Sequence, residues 1–129
     1  MADEFAPQPL TILIVDDEEL IRELLQWMLQ DAGHTVHVAR NGQDAMTFLN
    51  SHGPVDVVLS DINMPCMDGI ELQRQMHATW PDLPILLTSG RPPPQAMRHF
   101  LPKPFRWDAL ASAITAIVGR DCSDLSRCA

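Results

Sequence analysis

Four carboxylates, Asp16, Asp17, Glu18 and Glu19, stand directly behind the apolar run ILIV, and another, Asp61, stands directly behind VVLS. If the two apolar runs are neighbouring strands, Asp16, Asp17 and Asp61 meet in one crevice. Like charges held that close repel, and without a partner they are driven partly into the protonated form. The crevice therefore needs a cation. Every donor in it is a hard oxygen and no His or Cys is placed to soften the set, which is the preference of Mg²⁺ with room left for waters and a phosphate. Two further side chains suit an anionic oxygen at the same place: Thr88, a hydroxyl donor at the end of PILLT, and Lys103 in LPKPF, the only lysine among nine basic residues. An acidic run behind a strand is, by itself, ordinary helix N-terminus chemistry. Asp61, 44 residues beyond Asp17, is what turns the run into a candidate site.

For these groups to converge, the strands must run in parallel. Strand candidates are LTILIV (10–15), HTVHVA (34–39), VDVVLS (55–60), PILLT (84–88) and a short HFLP (99–102). Three of them are almost continuously apolar, as strands buried on both faces are. Between the first two, Leu20, Ile21, Leu24, Leu25 and Met28 fall on one helical face, and Gly33 ends that helix. A second helix is expected over about 42–51 with Ala45, Met46 and Leu49 inward, and a third from about Gly69 to Thr79. A last helix, from about Trp107 to Val118, is expected to bury Leu110, Ile114, Ile117 and Val118. Regular alternation of β and α with short links means an α/β fold, a parallel sheet covered by helices on both sides. Ligands of such sheets bind beyond the carboxyl ends of the strands, where the strand order reverses.

A chain of 129 residues is one domain. Its net charge of −8 argues against direct nucleic-acid binding, and no apolar run is long enough for membrane insertion, so a cytoplasmic location is expected. Cys66, Cys122 and Cys128 are odd in number and form no CxxC, which predicts free thiols. Met64, Cys66 and Met67 read as loop packing, and the five histidines as surface residues without a metal or phosphotransfer role. The expected organisation is an N-terminal extension over 1–9, one domain over 10–119 and a tail over 120–129 with no output domain.

Taken in order, VDDEELIRELL, DVVLSDINMPCMDGIEL, PILLTSG and FLPKPF resemble the receiver domain of two-component response regulators, over about Leu10 to Val118. The resemblance implies a doubly wound five-stranded parallel sheet of order 2-1-3-4-5, flavodoxin-like or CheY-like. It implies that Asp61 is the phosphoacceptor and that Mg²⁺ is held by Asp17 directly, Asp16 through water, Asp61 and the backbone carbonyl of Asn63. Thr88 would hydrogen-bond the phosphoryl group, Lys103 would pair with it, Phe100 would be the aromatic switch, and the Lys103–Pro104 bond would be cis. The implied donor is a phosphohistidine on a sensor histidine kinase or a histidine phosphotransfer protein, and the output is a conformational switch that controls an unknown downstream protein. Such a domain is no enzyme beyond assisting its own phosphorylation and dephosphorylation. Two other readings compete: a relay that passes phosphate on to a second histidine, and a Mg²⁺-dependent aspartyl-phosphate phosphohydrolase. The second would need a substrate cap and a nucleophile in the first acidic cluster.

One stretch departs from the family. Only the ten residues SGRPPPQAMR separate Thr88 from His99, three of them consecutive prolines. A crossover with its helix needs at least about 10–12 residues. The fourth helix is therefore expected to be shortened or missing, with at most one turn over Pro94 to His99. The family's usual dimer face would then be altered, and output would run through a partner or a changed surface.

Overall fold

The computed structural model describes residues 9–53, 55–92 and 99–128, of which 119–128 are described as backbone alone. In chain order the elements are β1 (Thr11–Val15), α1 (Glu19–Asp31), β2 (Thr35–Ala39), α2 (Gly42–His52) and β3 (Val57–Asp61), then α3 (Gly69–Thr79), β4 (Ile85–Ser89), β5 (Phe100–Pro102) and α4 (Trp107–Cys128). The strands form one parallel sheet of order β2-β1-β3-β4-β5. The chain leaves β1 toward β2 and returns to build β3 on the other side, so the order reverses between β1 and β3. This is the expected doubly wound topology, with the acidic segments at the reversal.

Period-2 side-chain alternation divides the core into two layers. Leu13, Val15, Val58 and Leu87 pack with Leu49 of α2 and with Leu72 and Met76 of α3. On the other face, Ile12, Ile14, Val57, Leu59 and Leu86 pack with Leu25 and Leu29 of α1 and with Leu110, Ile114 and Ile117 of α4. Because β1, β3 and β4 are covered on both faces, their runs are apolar through the middle of the sheet, and β3 and β4 turn polar only where they end, at Ser60 and Asp61 and at Thr88 and Ser89.

The starts of α2 and α3 are marked by side-chain caps. Asn41 accepts from the Asp44 N–H at 2.8 Å ahead of α2, and Asp68 accepts from the Glu71 N–H at 2.8 Å ahead of α3. α3 begins on a glycine for a steric reason. A Cβ at Gly69 would collide with the carbonyl oxygen of Asp61 and stand 2.9 Å from Ile62 Cα, so only glycine lets α3 seat against the end of β3.

Four expectations change. Of the stripe assigned to α1, Leu25 is buried and Ile21 and Met28 half-buried, whereas Leu20 and Leu24 are 80% and 53% exposed and Leu29 takes the inner place. The apolar arc of this helix is wider than the strip the sheet can cover. Val118 is only half-buried, unlike Leu110, Ile114 and Ile117. The last helix continues past Val118 to Cys128, since Gly119 weakens a helix without stopping it and no proline follows. The histidines are not all surface residues: His34 is buried, and its Nδ1 accepts the Leu10 N–H at 3.0 Å while burial lowers its pKa. His37 of β2 packs with Phe48 and His52 of α2, ring centroids 4.7–4.9 Å apart. The expected helical turn over Pro94 to His99 falls largely on 93–98, outside the described residues; Gly90, Arg91, Pro92 and His99 beside them are not helical.

Candidate metal and phosphoacceptor site

β1 delivers Asp16 and Asp17, and β3 ends on Asp61. Carboxylate oxygens of all three lie within 4.8 Å of one another, with Asp16 and Asp61 buried and Asp17 exposed. They are the one group of three or more potential metal-ligating side chains this close among the described residues. An exposed carboxylate beside two buried ones leaves an entrance for an ion that keeps some of its waters. Oxygen donors alone suit a hard divalent cation.

The strand-to-helix turn holds Asp16 from several sides. Its Oδ1 accepts the Glu18 N–H at 2.9 Å, and its backbone carbonyl accepts from an Arg22 guanidinium nitrogen at 2.8 Å. Its Oδ2 lies 3.2 Å from Lys103 Nζ, which also lies 3.4 Å from Asp61 Oδ2. Lys103 thus stands between the two buried carboxylates. The backbone N–H of Lys103 donates to the Ser89 carbonyl at 2.8 Å, which fixes the turn after β5, and the Lys103–Pro104 bond is cis as expected.

Burial pushes the Asp61 carboxyl above the usual aspartate range; the Lys103 ammonium opposes that shift and the Asp16 charge adds to it. Burial alone would lower Lys103, but Asp16 and Asp61 outweigh it and hold its ammonium above the ordinary lysine value. Three carboxylates face one ammonium here, an excess of negative charge that suits a divalent cation.

Thr88 is buried on β4 in register with Asp61 of β3, so its hydroxyl belongs to the same end of the sheet. Asn63 follows on the loop, its backbone N–H 3.4 Å from Asp61 Oδ1. Phe100 is half-buried on β5, opposite Leu87 and against the layer formed with α2 and α3. Asp16, Asp17, Asp61, Asn63, Thr88 and Lys103 therefore lie at the carboxyl edge of the sheet, whereas Phe100 opens β5 one register position short of Thr88. Two were missed. Arg22 sits six residues beyond Asp16 on the first turns of α1, a spacing that could have pointed to it. Ser89, next to Thr88, accepts from Asn63 Nδ2 at 2.8 Å and from the Arg91 N–H at 3.0 Å; a single hydroxyl in an apolar strand carries no signal of its partners.

Residues 12–115 match the model of the response regulator receiver domain. The response regulator MprA of Mycolicibacterium vanbaalenii is 35% identical over 124 residues, which span 90% of this chain and 53% of that protein. The chain thus spans about half the length of that curated relative. Among solved structures, the receiver domain of an HD domain-containing protein from Pseudomonas fluorescens superposes with a TM-score of 0.81 at 30% identity, covering 90% of this chain and 99% of that one. The response regulator TrrA of Thermotoga maritima, solved in complex with Mg²⁺–BeF, gives a TM-score of 0.75 at 31% identity, over 83% of this chain and 97% of that one. With the doubly wound sheet, the acidic triad and the lysine between its buried members, the chain belongs to the response regulator receiver domain family, a family of phosphoacceptor signalling domains rather than catalytic enzymes.

Proposed function

We propose that this chain accepts a phosphoryl group on Asp61 from a phosphohistidine of a sensor histidine kinase or phosphotransfer protein, with Mg²⁺ held by Asp16, Asp17, Asp61 and the Asn63 carbonyl. The observation that carries this reading is Lys103 placed between Asp16 and Asp61 at 3.2 and 3.4 Å, beside an aspartate that burial makes costly to ionise. Mg²⁺, when bound, supplies the positive charge that keeps Asp61 ionised and neutralises charge on the transferring oxygens. An Asp61 carboxylate oxygen attacks phosphorus; the new O–P bond replaces the P–N bond, whose electron pair stays with the departing imidazole. Lys103 follows the phosphoryl oxygens, Thr88 donates its hydroxyl to one of them, and Phe100 moves into the space Thr88 leaves. That change of shape is the output to a partner protein.

The donor's approach has a surface to use. Leu24, Ile21 and Met28 of α1 and Pro104 and Phe105 line an apolar groove of about 480 Å³ that reaches Lys103. Leu20 and Trp27 of the same helix are exposed as well. A helix carrying a phosphohistidine, laid there, would present its phosphate at the site.

The test is mass spectrometry after incubation with acetyl phosphate. Wild type gains one phosphoryl group with Mg²⁺ and none in excess chelator, and Asp61→Asn gains none. Asp17→Ala weakens Mg²⁺ binding outright, whereas Lys103→Ala and Thr88→Ala keep most of it and lose the conformational response. Labelling of Asp61→Asn, or equal loss of Mg²⁺ affinity in all three variants, would refute the assignment.

A further inference from the structure

Ser89 is buried at the end of β4 with a polar side chain that the reaction does not use. A hydroxyl oxygen has two lone pairs. One accepts from Asn63 Nδ2 at 2.8 Å and the other from the backbone N–H of Arg91 at 3.0 Å, so one atom joins the loop after β3 to the loop after β4. Asn63 is itself tied to the acceptor, its N–H directed at Asp61 Oδ1 at 3.4 Å, near the limit of a hydrogen bond. The Ile62 N–H donates to the Thr88 carbonyl at 2.8 Å, so the backbones on either side of this link are fastened as well.

We propose that Ser89 is a positioning residue that carries occupancy of the metal site from Asn63 to Arg91, and so into the crossover after β4, independently of Thr88. This rests on the reading of Asp61, Asp17 and the Asn63 carbonyl as the metal site. An ion held in part by that carbonyl would turn the peptide between Asn63 and Met64 and, through the Asn63 Cα, displace the residue. The weak contact of the Asn63 N–H with Asp61 would allow the movement, the side-chain amide borne on the same Cα would move with it, and the Ser89 hydroxyl would pass the displacement to the Arg91 N–H. Thr88 responds to a phosphoryl oxygen and has nothing to meet while only the metal is bound. The side-chain link between Asn63 and Arg91 is the Ser89 hydroxyl, and a response of Arg91 to metal alone is therefore assigned to it rather than to the backbone bonds of Ile62 and Lys103.

The experiment follows backbone amides by NMR on the full chain during titration with Mg²⁺ and then with beryllofluoride. In wild type, Mg²⁺ alone shifts the amides of Asp17, Asn63 and Arg91. In Ser89→Ala, Mg²⁺ affinity and the Asn63 shift persist and the Mg²⁺-induced shift at Arg91 is lost; Ser89→Thr, which keeps the hydroxyl, restores it. The Arg91 shift without metal changes in Ser89→Ala in any case, so the metal-induced change is what is read. Should Ser89→Ala lose its fold, Asn63→Ala removes the donor instead, and Arg91 again stops responding. A metal-induced Arg91 shift that survives in either folded variant, or is absent from a wild type whose Asn63 does respond, overturns the link. Silence at Asp17 and Asn63 in wild type would instead overturn the metal-site reading beneath it.

Discussion

The two helical layers of this domain are finished to different degrees. The layer of α2 and α3 is closed: Leu49, Leu72 and Met76 are fully buried and Phe48, Met46 and Ile70 fill its margin. The layer of α1 and α4 buries Leu25, Leu29, Leu110, Ile114 and Ile117 equally well, yet leaves Leu20, Leu24, Trp27 and Trp107 with large exposed surfaces. Apolar surface that folding does not use, lying beside the reactive edge, is surface kept for association. One layer is built to hold the sheet, and the other also presents a face.

The largest effect that tests this contrast is in the closed layer. Leu72→Ala should lower unfolding free energy by about 2–5 kcal/mol, read as a shift in the urea midpoint at unchanged slope. A loss under about 1 kcal/mol would mean that the layer relaxes around the cavity and is less tightly closed than its burial indicates.

Asp61, on the edge that neither layer covers, should give an intermediate effect of the opposite sign. Its folded pKa is raised, so the folded state holds the proton more tightly than the unfolded chain, and stability falls as pH rises from the unfolded value through the raised one. Above that window ionised Asp61 is a standing cost. Without metal, Asp61→Asn should therefore raise stability at neutral pH by about 1 kcal/mol, a few degrees in Tm, and the advantage should disappear below the ordinary aspartate pKa. Metal should narrow the gap by stabilising wild type more than the variant. An Asp61→Asn protein less stable than wild type at every pH would show that the Lys103 pairing outweighs burial.

The smallest stability effect belongs to the open face. Leu24→Ser should change unfolding free energy by no more than about 0.5 kcal/mol. The same variant should slow phosphotransfer from a cognate histidine kinase while leaving labelling by acetyl phosphate unchanged, because the small donor has no use for the groove. If Leu24→Ser destabilised the fold as Leu72→Ala does, the distinction between the layers would collapse.

Much of this was legible beforehand because strand ends and motif spacing are local. The helix over Gly69 to Thr79 has the bounds expected of it, and Asp16, Asp17, Asp61, Thr88 and Lys103 were readable from their places behind apolar runs. What escaped depends on neighbours. The periodicity of α1 locates its apolar face without saying how wide a strip the sheet covers, so Leu20 and Leu24 looked internal. His34 resembles a surface residue until the Leu10 N–H is found against it. Ser89 acts through the distant Asn63 side-chain amide and the nearby Arg91 N–H, Arg22 acts through the Asp16 carbonyl, and no residue type announces that.

The brevity of β5 governs how this sheet ends. In a parallel strand successive residues point their backbone groups to alternate sides, and here the His99 carbonyl and the Lys103 N–H turn inward to β4. Phe100 and Pro102 are left facing outward, and proline has no N–H to offer. Among the described residues the outer margin of β5 therefore presents a single strand N–H, that of Phe100, too little to template another strand. A strand of three residues, one of them proline, disfavours sheet growth at this edge and the aggregation that follows from it.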